Sequence, residues 1–270
     1  MRRIISITAI PSRFPEFRDV LNSLKEQPVD EVRLYIPRRF RRFPDWDGRL
    51  PEVPAGVSIH RCDEDLGPAT KILPACRDLR GQDVQILFCD DDCLAPRGWA
   101  ARLFAAQRKR PGMAVAGYVR PAQGYIRNPV RAPGRRARQL SVRYDLPYRA
   151  SRLGQKLFGW RTLVRRPFAR AGYGEILFGV GGCVVRPDFF DDIAMDVPEF
   201  AMPVDDIWLS ANLARRGIPI WCPALVRLPV ASGASDVDAL QDTDFFGQDR
   251  QALNRSVAQR CQEIFGIWQA

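Results

Sequence analysis

Residues 86–92 read ILFCDDD, so that four apolar residues run directly into three consecutive carboxylates. The apolar run predicts a buried strand, and in open α/β sheets ligands bind beyond the carboxyl ends of the strands. Three adjacent carboxylates repel one another and resist desolvation unless a cation joins them. Because Mg²⁺ and Mn²⁺ prefer oxygen ligands and share them with phosphates, Asp90 and Asp92 are candidate metal ligands. A solvated acidic turn is the alternative interpretation.

Short apolar runs alternate with helical patterns on both sides of this segment. Strands are predicted over residues 3–9, 31–36, 57–61, 84–89, 113–118, 176–185 and 218–221. Helices are predicted over residues 14–26, 69–79, 96–109 and 203–216, with a last one near 249–265. Such alternation implies βαβ units. We therefore expect an α/β protein of one domain, with a Rossmann-like, mostly parallel sheet and helices on both faces.

Composition excludes several classes of protein. Of the 270 residues, 46% are hydrophobic and 27% are charged, which is the balance of a soluble globular protein and not of a disordered or fibrous one. No run of about 18 apolar residues is present, so no transmembrane helix is expected. The apolar start, residues 4–10, reads as a strand and not as a signal peptide. Seven cysteines without a CxxC pair argue against a disulfide framework. They predict a cytoplasmic protein. Peripheral contact with the inner face of the membrane is compatible with this location.

Positive charge is concentrated in one segment. The formal net charge of the chain is +10, yet residues 119–170 carry thirteen arginines and Lys156 against a single acid, Asp145. The rest of the chain is therefore slightly acidic. We expect a basic insertion over 119–170, whose charge favours anionic partners such as phosphates, a lipid surface or nucleic acid. A solvated arginine-rich surface is the alternative, and no recognised nucleic-acid-binding module accompanies the charge.

Two further clusters of charged residues lie at predicted helix starts. Residues 63–71 read DEDLGPATK, which places Thr70 and Lys71 in the first turn of a helix, where backbone N–H groups favour phosphate. Asp205 and Asp206 open the helix over 203–216. Helix capping accounts for one of these two acids, and we expect the other to act as a general base toward a substrate hydroxyl. No Walker loop, GxGxxG motif or Ser-His-Asp system is readable.

A family resemblance is carried by four segments in order: residues 6–13, residues 65–71, Asp90-Asp91-Asp92, and Gly181-Gly182-Cys183 followed by Asp205-Asp206. Together they resemble a family 2-like glycosyltransferase of the bacterial surface-polysaccharide type, with the A-type nucleotide-diphospho-sugar transferase fold. The first segment looks like the nucleotide-contacting loop of that family and the second like a loop seen in a bacterial subset. The third looks like its DxD motif, and the fourth like its acceptor-side glycine strand and acidic helix start.

The resemblance implies a role for each matching residue. The implied ligands of a divalent cation, Mn²⁺ or Mg²⁺, are Asp92 and Asp90. The implied donor contacts are Pro11, Arg13, Asp65, Lys71, Asp90 and Asp91. The implied acceptor contacts are Gly181, Gly182 and Trp208. The implied catalytic base is Asp206, with Asp205 as its substitute. The chain departs from the family in reading Asp-Asp where relatives have Glu-Asp, and in having no histidine after the triplet.

The activity that the resemblance implies is metal-dependent transfer of a sugar from a nucleotide-diphosphate donor. The expected donor is a UDP-sugar, and the expected acceptor is a hydroxyl of a glycan or lipid-linked molecule in surface polysaccharide biosynthesis. No nucleic-acid partner is expected. The chain then divides into a nucleotide-sugar-binding half, the basic insertion, an acceptor-side half, and a C-terminal tail with its helix: residues 1–118, 119–175, 176–230 and 231–270.

Three other interpretations stay open on the sequence alone. A nucleotidyltransferase of the same fold would use the same metal chemistry, although its glycine-rich N-terminal phosphate loop is absent. A phosphatase-like enzyme would use Asp90 as a nucleophile, although Leu94 stands where such enzymes prefer Thr or Val. A non-catalytic basic module for RNA or membrane would carry its acids only as surface charge, and it would bind no nucleotide in a metal-dependent way.

Overall fold

A mixed eight-stranded sheet forms the centre of the computed structural model, which describes residues 1–126, 134–159, 164–238 and 249–269. The strands in these ranges are β1 (Arg2–Thr8), β2 (Glu31–Pro37), β3 (Val57–Cys62), β4 (Val84–Phe88), β5 (Cys93–Leu94), β6 (Ala114–Ala116), β7 (Val119–Arg120), β8 (Arg138–Gln139), β9 (Phe168–Arg170), β10 (Gly172–Gly174), β11 (Ile176–Leu177), β12 (Cys183–Val185), β13 (Ile220–Cys222) and β14 (Val230–Ala231). The α-helices in the same ranges are α1 (Phe17–Lys25), α2 (Leu73–Asp78), α3 (Trp99–Arg108), α4 (Leu146–Phe158), α5 (Asp192–Met195), α6 (Asp205–Arg215) and α7 (Arg250–Phe265).

The strand order of the central sheet is β10-β13-β6-β12-β4-β1-β2-β3. Four neighbouring pairs are parallel: β1 with β2, β1 with β4, β2 with β3, and β6 with β13. β12 runs antiparallel between β4 and β6, and β10 is an antiparallel edge strand beside β13. The expected Rossmann-like, mostly parallel sheet is confirmed. Because β1 and β4 are parallel neighbours, the segments that follow them meet at the same edge of the sheet.

Helices cover both faces of the sheet because alternate residues of its strands point in opposite directions. Ile4 of β1 and Phe88 of β4 belong to a cluster with residues of α2, α5 and α6. Ile5 and Leu87, each adjacent in its strand to one of these residues, belong to a second cluster with residues of α1 and α3. A third cluster, which includes Trp208, joins α6 to α7.

Two of the predicted helices begin with a 3₁₀ turn instead of a regular α-helical turn. The helix predicted over 14–26 begins with a 3₁₀ turn, Pro11–Glu16, so that α1 starts at Phe17. The helix predicted over 69–79 begins with a 3₁₀ turn, Gly67–Lys71, ahead of α2. Prolines in both turns have no backbone N–H to donate and so interrupt the regular α-helical hydrogen bonds.

The strand predicted over 176–185 is divided into β11 and β12, so that prediction is wrong in its middle. A 3₁₀ turn, Gly179–Gly181, separates the two strands. Gly182 then adopts a φ of +76°, and a Cβ atom there would collide with the ring of Trp99. The glycines therefore let the chain turn sharply and return, because β11 pairs with β7 whereas β12 enters the central sheet beside β4.

The basic insertion contains β7, β8, α4 and β9. β8 pairs with β9, outside the central sheet. β10, by contrast, lies within the predicted insertion over 119–175 and yet forms the edge of the central sheet. Arg127, Arg131 and Arg161 of the predicted basic segment lie outside the described residues, as do residues 239–248 of the tail. Among the helices described, none has the length and apolarity needed to cross a bilayer.

Candidate active site

Three carboxylates lie where the sequence predicts them, directly after β4 at the carboxyl edge of the sheet. Asp90 and Asp92 keep 28% and 26% of their side-chain surface exposed, whereas Asp91 between them is mostly buried. The triplet is therefore neither a fully solvated turn nor a buried cluster. Its position matches the general location of ligand sites in α/β sheets.

Lys71 joins two parts of the site. Its side chain is only 4% exposed, its Nζ donates to Asp90 Oδ1 at 2.6 Å, and the same Nζ lies 2.8 Å from Asp205 Oδ2. Its backbone carbonyl accepts a hydrogen bond from Ser6 Oγ at 2.6 Å, which ties the turn to β1. Burial alone would lower the pKa of Lys71, but Asp205 and Asp90 outweigh it and hold that pKa well above its usual value. Lys71 is therefore charged and fixes the β4 end relative to α6.

Arg13 makes a second buried ion pair on the other side of the triplet. Its guanidinium pairs with Asp91 and lies 3.6 Å from Asp92 Oδ2. Its Nε donates to the carbonyl of Val237 at 2.9 Å, so that the segment after β14 reaches the site. Burial raises the pKa of Asp91 to about 6, although Arg13 counteracts this effect. Asp91 is thus engaged by Arg13, which leaves Asp90 and Asp92 as the more accessible carboxylates.

Asp205 and Asp206 begin α6 but occupy different surroundings. Asp205 is buried against Lys71, whereas Asp206 is partly exposed and its Oδ1 accepts the backbone N–H of Gly179 at 2.9 Å. Burial, together with the neighbouring Asp205, raises the pKa of Asp206 to about 8. Of the two acids, Asp206 is the more accessible one.

The raised pKa of Asp206 predicts a pH-dependent stability. In the unfolded chain this carboxyl ionises near its ordinary pKa of 3.8, so folding loses stability as the pH rises from about 4 to about 8. We expect Asp206→Asn to melt at a higher temperature than the wild type at pH 9 in metal-free buffer, and to approach it near pH 4. Asp19→Asn, at an exposed position of α1, is the control and should show no such divergence. Parallel melting curves of the wild type and Asp206→Asn at all pH values would contradict the assignment.

Gly179 allows the turn before β12 to lie close to Lys71, Asp90 and Asp206. A Cβ atom at this position would collide with Asp90 Oδ1 and would lie 2.7 Å from Lys71 Nζ. The absence of a side chain thus lets the turn before β12 approach the Lys71–Asp90 pair. Gly179 was not among the predicted site residues, although its place in the Gly-x-Gly-Gly run of residues 179–182 was a readable signal.

Adding a methyl group at Gly179 tests this close approach. We expect Gly179→Ala to lower the free energy of unfolding by about 1–3 kcal/mol, the usual range for overpacking a filled site. Gly112→Ala is the matched control, because nothing lies within 4 Å of the Cβ position there. Urea denaturation of both variants measures the difference. Equal stabilities of Gly179→Ala and Gly112→Ala would contradict this expectation, because they would show that the Lys71–Asp90 pair moves aside without lowering the free energy of unfolding.

The charge of the site suits a divalent cation. Five carboxylates lie near two cationic side chains, those of Lys71 and Arg13. The carboxylates belong to Asp90, Asp91, Asp92, Asp205 and Asp206. The ionised cluster would therefore carry an excess of negative charge. The oxygen donors of Asp90 and Asp92 are of the type that Mg²⁺ and Mn²⁺ prefer. Within the described ranges, no group of three or more His, Cys, Asp or Glu side chains is arranged to hold a metal ion, and Mg²⁺ is commonly bound by one or two carboxylates with substrate phosphates completing its shell.

Pro11 and Asp65 both adjoin the loop that contains Arg41 and Arg42. Pro11 borders a pocket of about 470 Å³, whose other lining residues are Ser12, Arg42, Phe43, Pro44, Asp45 and Trp46. Asp65 accepts the backbone N–H groups of Arg41 at 2.7 Å and Gly67 at 2.9 Å. Asp65 therefore shapes the loop that forms this pocket. No strand or helix is predicted over residues 38–55, and the aromatic residues Phe43 and Trp46 were the available signal for this pocket.

The expected acceptor residues divide into two groups. Gly181 and Gly182 line the return into β12, and the Gly181 carbonyl accepts the indole N–H of Trp99 at 2.9 Å. Trp208, in contrast, is buried between α6 and α7, and its indole N–H donates to the Ala194 carbonyl at 3.0 Å. The prediction that Trp208 contacts the acceptor is therefore wrong. Residues two apart on a helix face different directions, so Trp208 does not share the exposure of Asp206.

Comparisons with known proteins support the fold. No protein-family model matches the sequence, and no curated protein matches it. Among solved structures, GalNAc-T7 with UDP, GalNAc and Mn²⁺ aligns with a TM-score of 0.53 and 10% identity over 97% of this chain and 48% of that one. The mannosyltransferase PcManGT from Pyrobaculum calidifontis, in complex with GDP-Man and Mn²⁺, aligns with a TM-score of 0.47 and 15% identity over 84% of this chain and 56% of that one. S. aureus TarS 1–349 aligns with a TM-score of 0.47 and 11% identity over 98% of this chain and 72% of that one.

The similarity to GalNAc-T7 confirms the expected A-type nucleotide-diphospho-sugar transferase fold. The chain spans about half the length of the GalNAc-T7 chain and of the mannosyltransferase chain. At this level of identity, the likeness concerns the fold alone. What the site binds must therefore be argued from its own side chains.

Proposed function

We propose that this protein is a metal-dependent glycosyltransferase that moves a sugar from a nucleotide-diphosphate donor to an acceptor hydroxyl. The observation that carries the proposal is the cluster at the end of β4. There, two accessible carboxylates, Asp90 and Asp92, follow the strand, and Asp90 lies across Lys71 and Gly179 from the partly exposed Asp206. A UDP-sugar is the favoured donor, and the solved GalNAc-T7 structure of the same fold contains UDP and Mn²⁺.

The donor half of the reaction belongs to the triplet and the neighbouring pocket. Asp90 and Asp92 would hold a divalent cation, which would neutralise charge on the departing nucleoside diphosphate. Lys71 holds Asp90 in place, and Arg13 holds Asp91 and so keeps the turn in shape. The pocket beside Pro11 has the position and aromatic lining to receive the nucleoside.

The acceptor half of the reaction belongs to Asp206. Its carboxylate takes the proton of the acceptor hydroxyl while the hydroxyl oxygen bonds to the anomeric carbon of the sugar. The bond from that carbon to the diphosphate oxygen breaks, and its electron pair leaves with the nucleoside diphosphate. The hydrogen bond from Gly179 N–H orients Asp206, and burial makes it a stronger base than an ordinary aspartate. Asp205, which is buried and paired with Lys71, supports the site without reaching the acceptor.

The acceptor is proposed to be a glycan or a lipid-linked molecule of surface polysaccharide biosynthesis. This finer proposal rests on the resemblance of residues 65–71 to a loop of bacterial transferases. This loop lies beside the pocket. Its residue Asp65 accepts the backbone N–H of Gly67 within the loop and that of Arg41, the neighbour of the pocket-lining Arg42.

Product analysis tests the proposed reaction. The purified protein is incubated with Mn²⁺ and a set of nucleotide sugars, preselected by the rise in melting temperature that each causes. We expect release of a nucleoside diphosphate, accelerated by a suitable acceptor. Release of pyrophosphate from a nucleoside triphosphate and a sugar 1-phosphate would instead identify a nucleotidyltransferase. Absence of any metal-dependent nucleotide binding would contradict both enzymatic proposals.

A further inference from the structure

Helix α4 turns one apolar face toward solvent. Four apolar residues share this face at the spacing i, i+4, i+7 and i+11, and they are Leu146, Ala150, Leu153 and Leu157. The exposed fractions of the three leucines are 68%, 56% and 61%, in chain order. A helix of a globular protein normally directs such a face into the core, so this orientation requires an explanation.

A different face of α4, next to the leucines, attaches the helix to the protein. Ser151 and Gly154 are buried there, and Ser151 Oγ accepts the backbone N–H of Val164 at 3.1 Å. At the start of the helix, the buried Asp145 caps it by accepting the N–H of Tyr148 at 3.1 Å. The helix is therefore attached through Ser151, Gly154 and its capping residue Asp145. This attachment leaves the leucines exposed.

Basic side chains border the apolar face along one side. Arg149, Arg152 and Lys156 follow the spacing i, i+3 and i+7 and are all exposed. Asp145 is the sole acid between residues 119 and 170, and its carboxyl is turned into the helix cap. No exposed carboxylate of this segment thus offsets the positive charge, and α4 combines a leucine face with a cationic one.

The helix is attached close to the candidate active site. Val164, which binds Ser151, precedes Arg165, and the Arg165 guanidinium donates to the Pro229 carbonyl at 3.1 Å. The same guanidinium lies 3.9 Å from Cys93 Sγ, and Cys93 follows Asp92 directly. A chain of contacts therefore runs from α4 through Val164 and Arg165 to Cys93 at the rim of the acidic turn.

We propose that α4 docks the protein on an anionic lipid bilayer. Leu146, Leu153 and Leu157 would enter the boundary between headgroups and acyl chains, with the neighbouring basic side chains at the phosphates. An amphipathic helix with leucines on one side and Lys or Arg on the other is suited to this interface, and each basic residue near an anionic surface strengthens binding. This inference goes beyond the proposed function, and its test does not depend on activity.

Charge and apolarity together favour a bilayer over the other partners. Nucleic acid would use the arginines but would leave the three leucines exposed, because its affinity comes chiefly from phosphate contacts. A second copy of the chain would bring the same positive charge against itself across a symmetric interface. A bilayer that contains anionic lipid satisfies both faces of the helix at once.

Vesicle sedimentation tests the proposal with the full-length protein. We expect it to sediment with phosphatidylcholine vesicles that contain phosphatidylglycerol, to bind pure phosphatidylcholine more weakly, and to lose most of the anionic preference at about 1 M salt. Leu153→Ser combined with Leu157→Ser should lower the partition coefficient by about tenfold or more. Arg149→Gln and Arg152→Gln should each lower it by about fivefold.

Two control variants remove equivalent groups from elsewhere on the surface. Ile264→Ser removes a 56% exposed apolar side chain from α7, and Arg108→Gln removes an exposed charge from α3. Both should bind vesicles like the wild type. Melting temperatures of all variants should stay near that of the wild type, because the altered side chains are exposed.

Four results would overturn the proposal. The first is a wild type that shows no preference for anionic vesicles. The second is a leucine double variant that binds them as tightly as the wild type. Retention of an RNA oligonucleotide without vesicle binding would assign the surface to nucleic acid. A dimer seen by light scattering that the leucine double variant abolishes, again without vesicle binding, would assign it to a second copy. None of these readouts uses sugar transfer, so the proposed function can succeed or fail separately.

Discussion

Asp206→Asn is expected to lower the rate of sugar transfer by about 10²–10⁴-fold, the usual contribution of a general base. The substitution keeps the size of the side chain and leaves an oxygen to accept the Gly179 N–H, so the local geometry should persist. It removes the only function that requires a carboxylate there, which is to take the acceptor proton. Because Asp206 does not contact the triplet, donor binding should be unchanged.

Separate measurements of turnover and donor affinity make this prediction specific. The value of kcat should fall while the Kd for the nucleoside diphosphate with Mn²⁺ stays the same. Asp196→Asn, an exposed acid just after α5, is the control and should retain full turnover. If Asp206→Asn retained most of the wild-type kcat, Asp206 would not be the base. A parallel loss of donor affinity would indicate a structural role instead.

Lys71→Met is expected to destabilise the protein by about 3–5 kcal/mol. Removing one member of a buried ion pair leaves its partners charged without compensation, and here two carboxylates, Asp90 and Asp205, lose the same cation. Asp90 is partly exposed and recovers some hydration, so Asp205 accounts for most of the effect. Methionine replaces the aliphatic part of the lysine, and a cavity contributes little.

A double-mutant cycle isolates the charge contribution. Urea denaturation should show that Lys71→Met combined with Asp205→Asn is more stable than the sum of the single effects predicts, because the stranded charge has been removed. Lys109→Met, at an exposed site after α3, is the control and should be nearly neutral. Additive single effects, or a Lys71→Met variant as stable as the wild type, would contradict the Lys71–Asp205 pairing.

Local sequence pattern was sufficient to predict the sheet and the position of the triplet. An apolar run such as 86–89 has few alternatives to a buried strand, and the residues that follow a strand in a parallel sheet are placed at its carboxyl edge by topology. The apolar residues of α6 likewise point inward at helical spacing. These features depend on neighbours in the sequence.

Features that depend on distant segments could not be predicted in this way. The bridge from Asp90 through Lys71 to Asp205 joins residues 71, 90 and 205, and only the packed fold brings them together. Arg13 was expected to contact the donor, and its pairing with Asp91 and the Val237 carbonyl could not be read from the sequence. Trp208 was assigned to the acceptor from the family resemblance, whereas helical geometry directs it into the core.

Calorimetric titration with UDP, in Mn²⁺ and in EDTA, gives the sharpest check that the carboxylates after β4 and a divalent cation together bind a diphosphate. The wild type should bind UDP at least about tenfold more tightly with Mn²⁺, a difference of about 1.4 kcal/mol. Asp92→Asn should lose that increment and bind alike in both buffers, while Asp63→Asn, at an exposed position outside the site, should keep it. Wild-type affinity of Asp92→Asn for UDP in Mn²⁺ would contradict the assignment of Asp92 as a metal ligand.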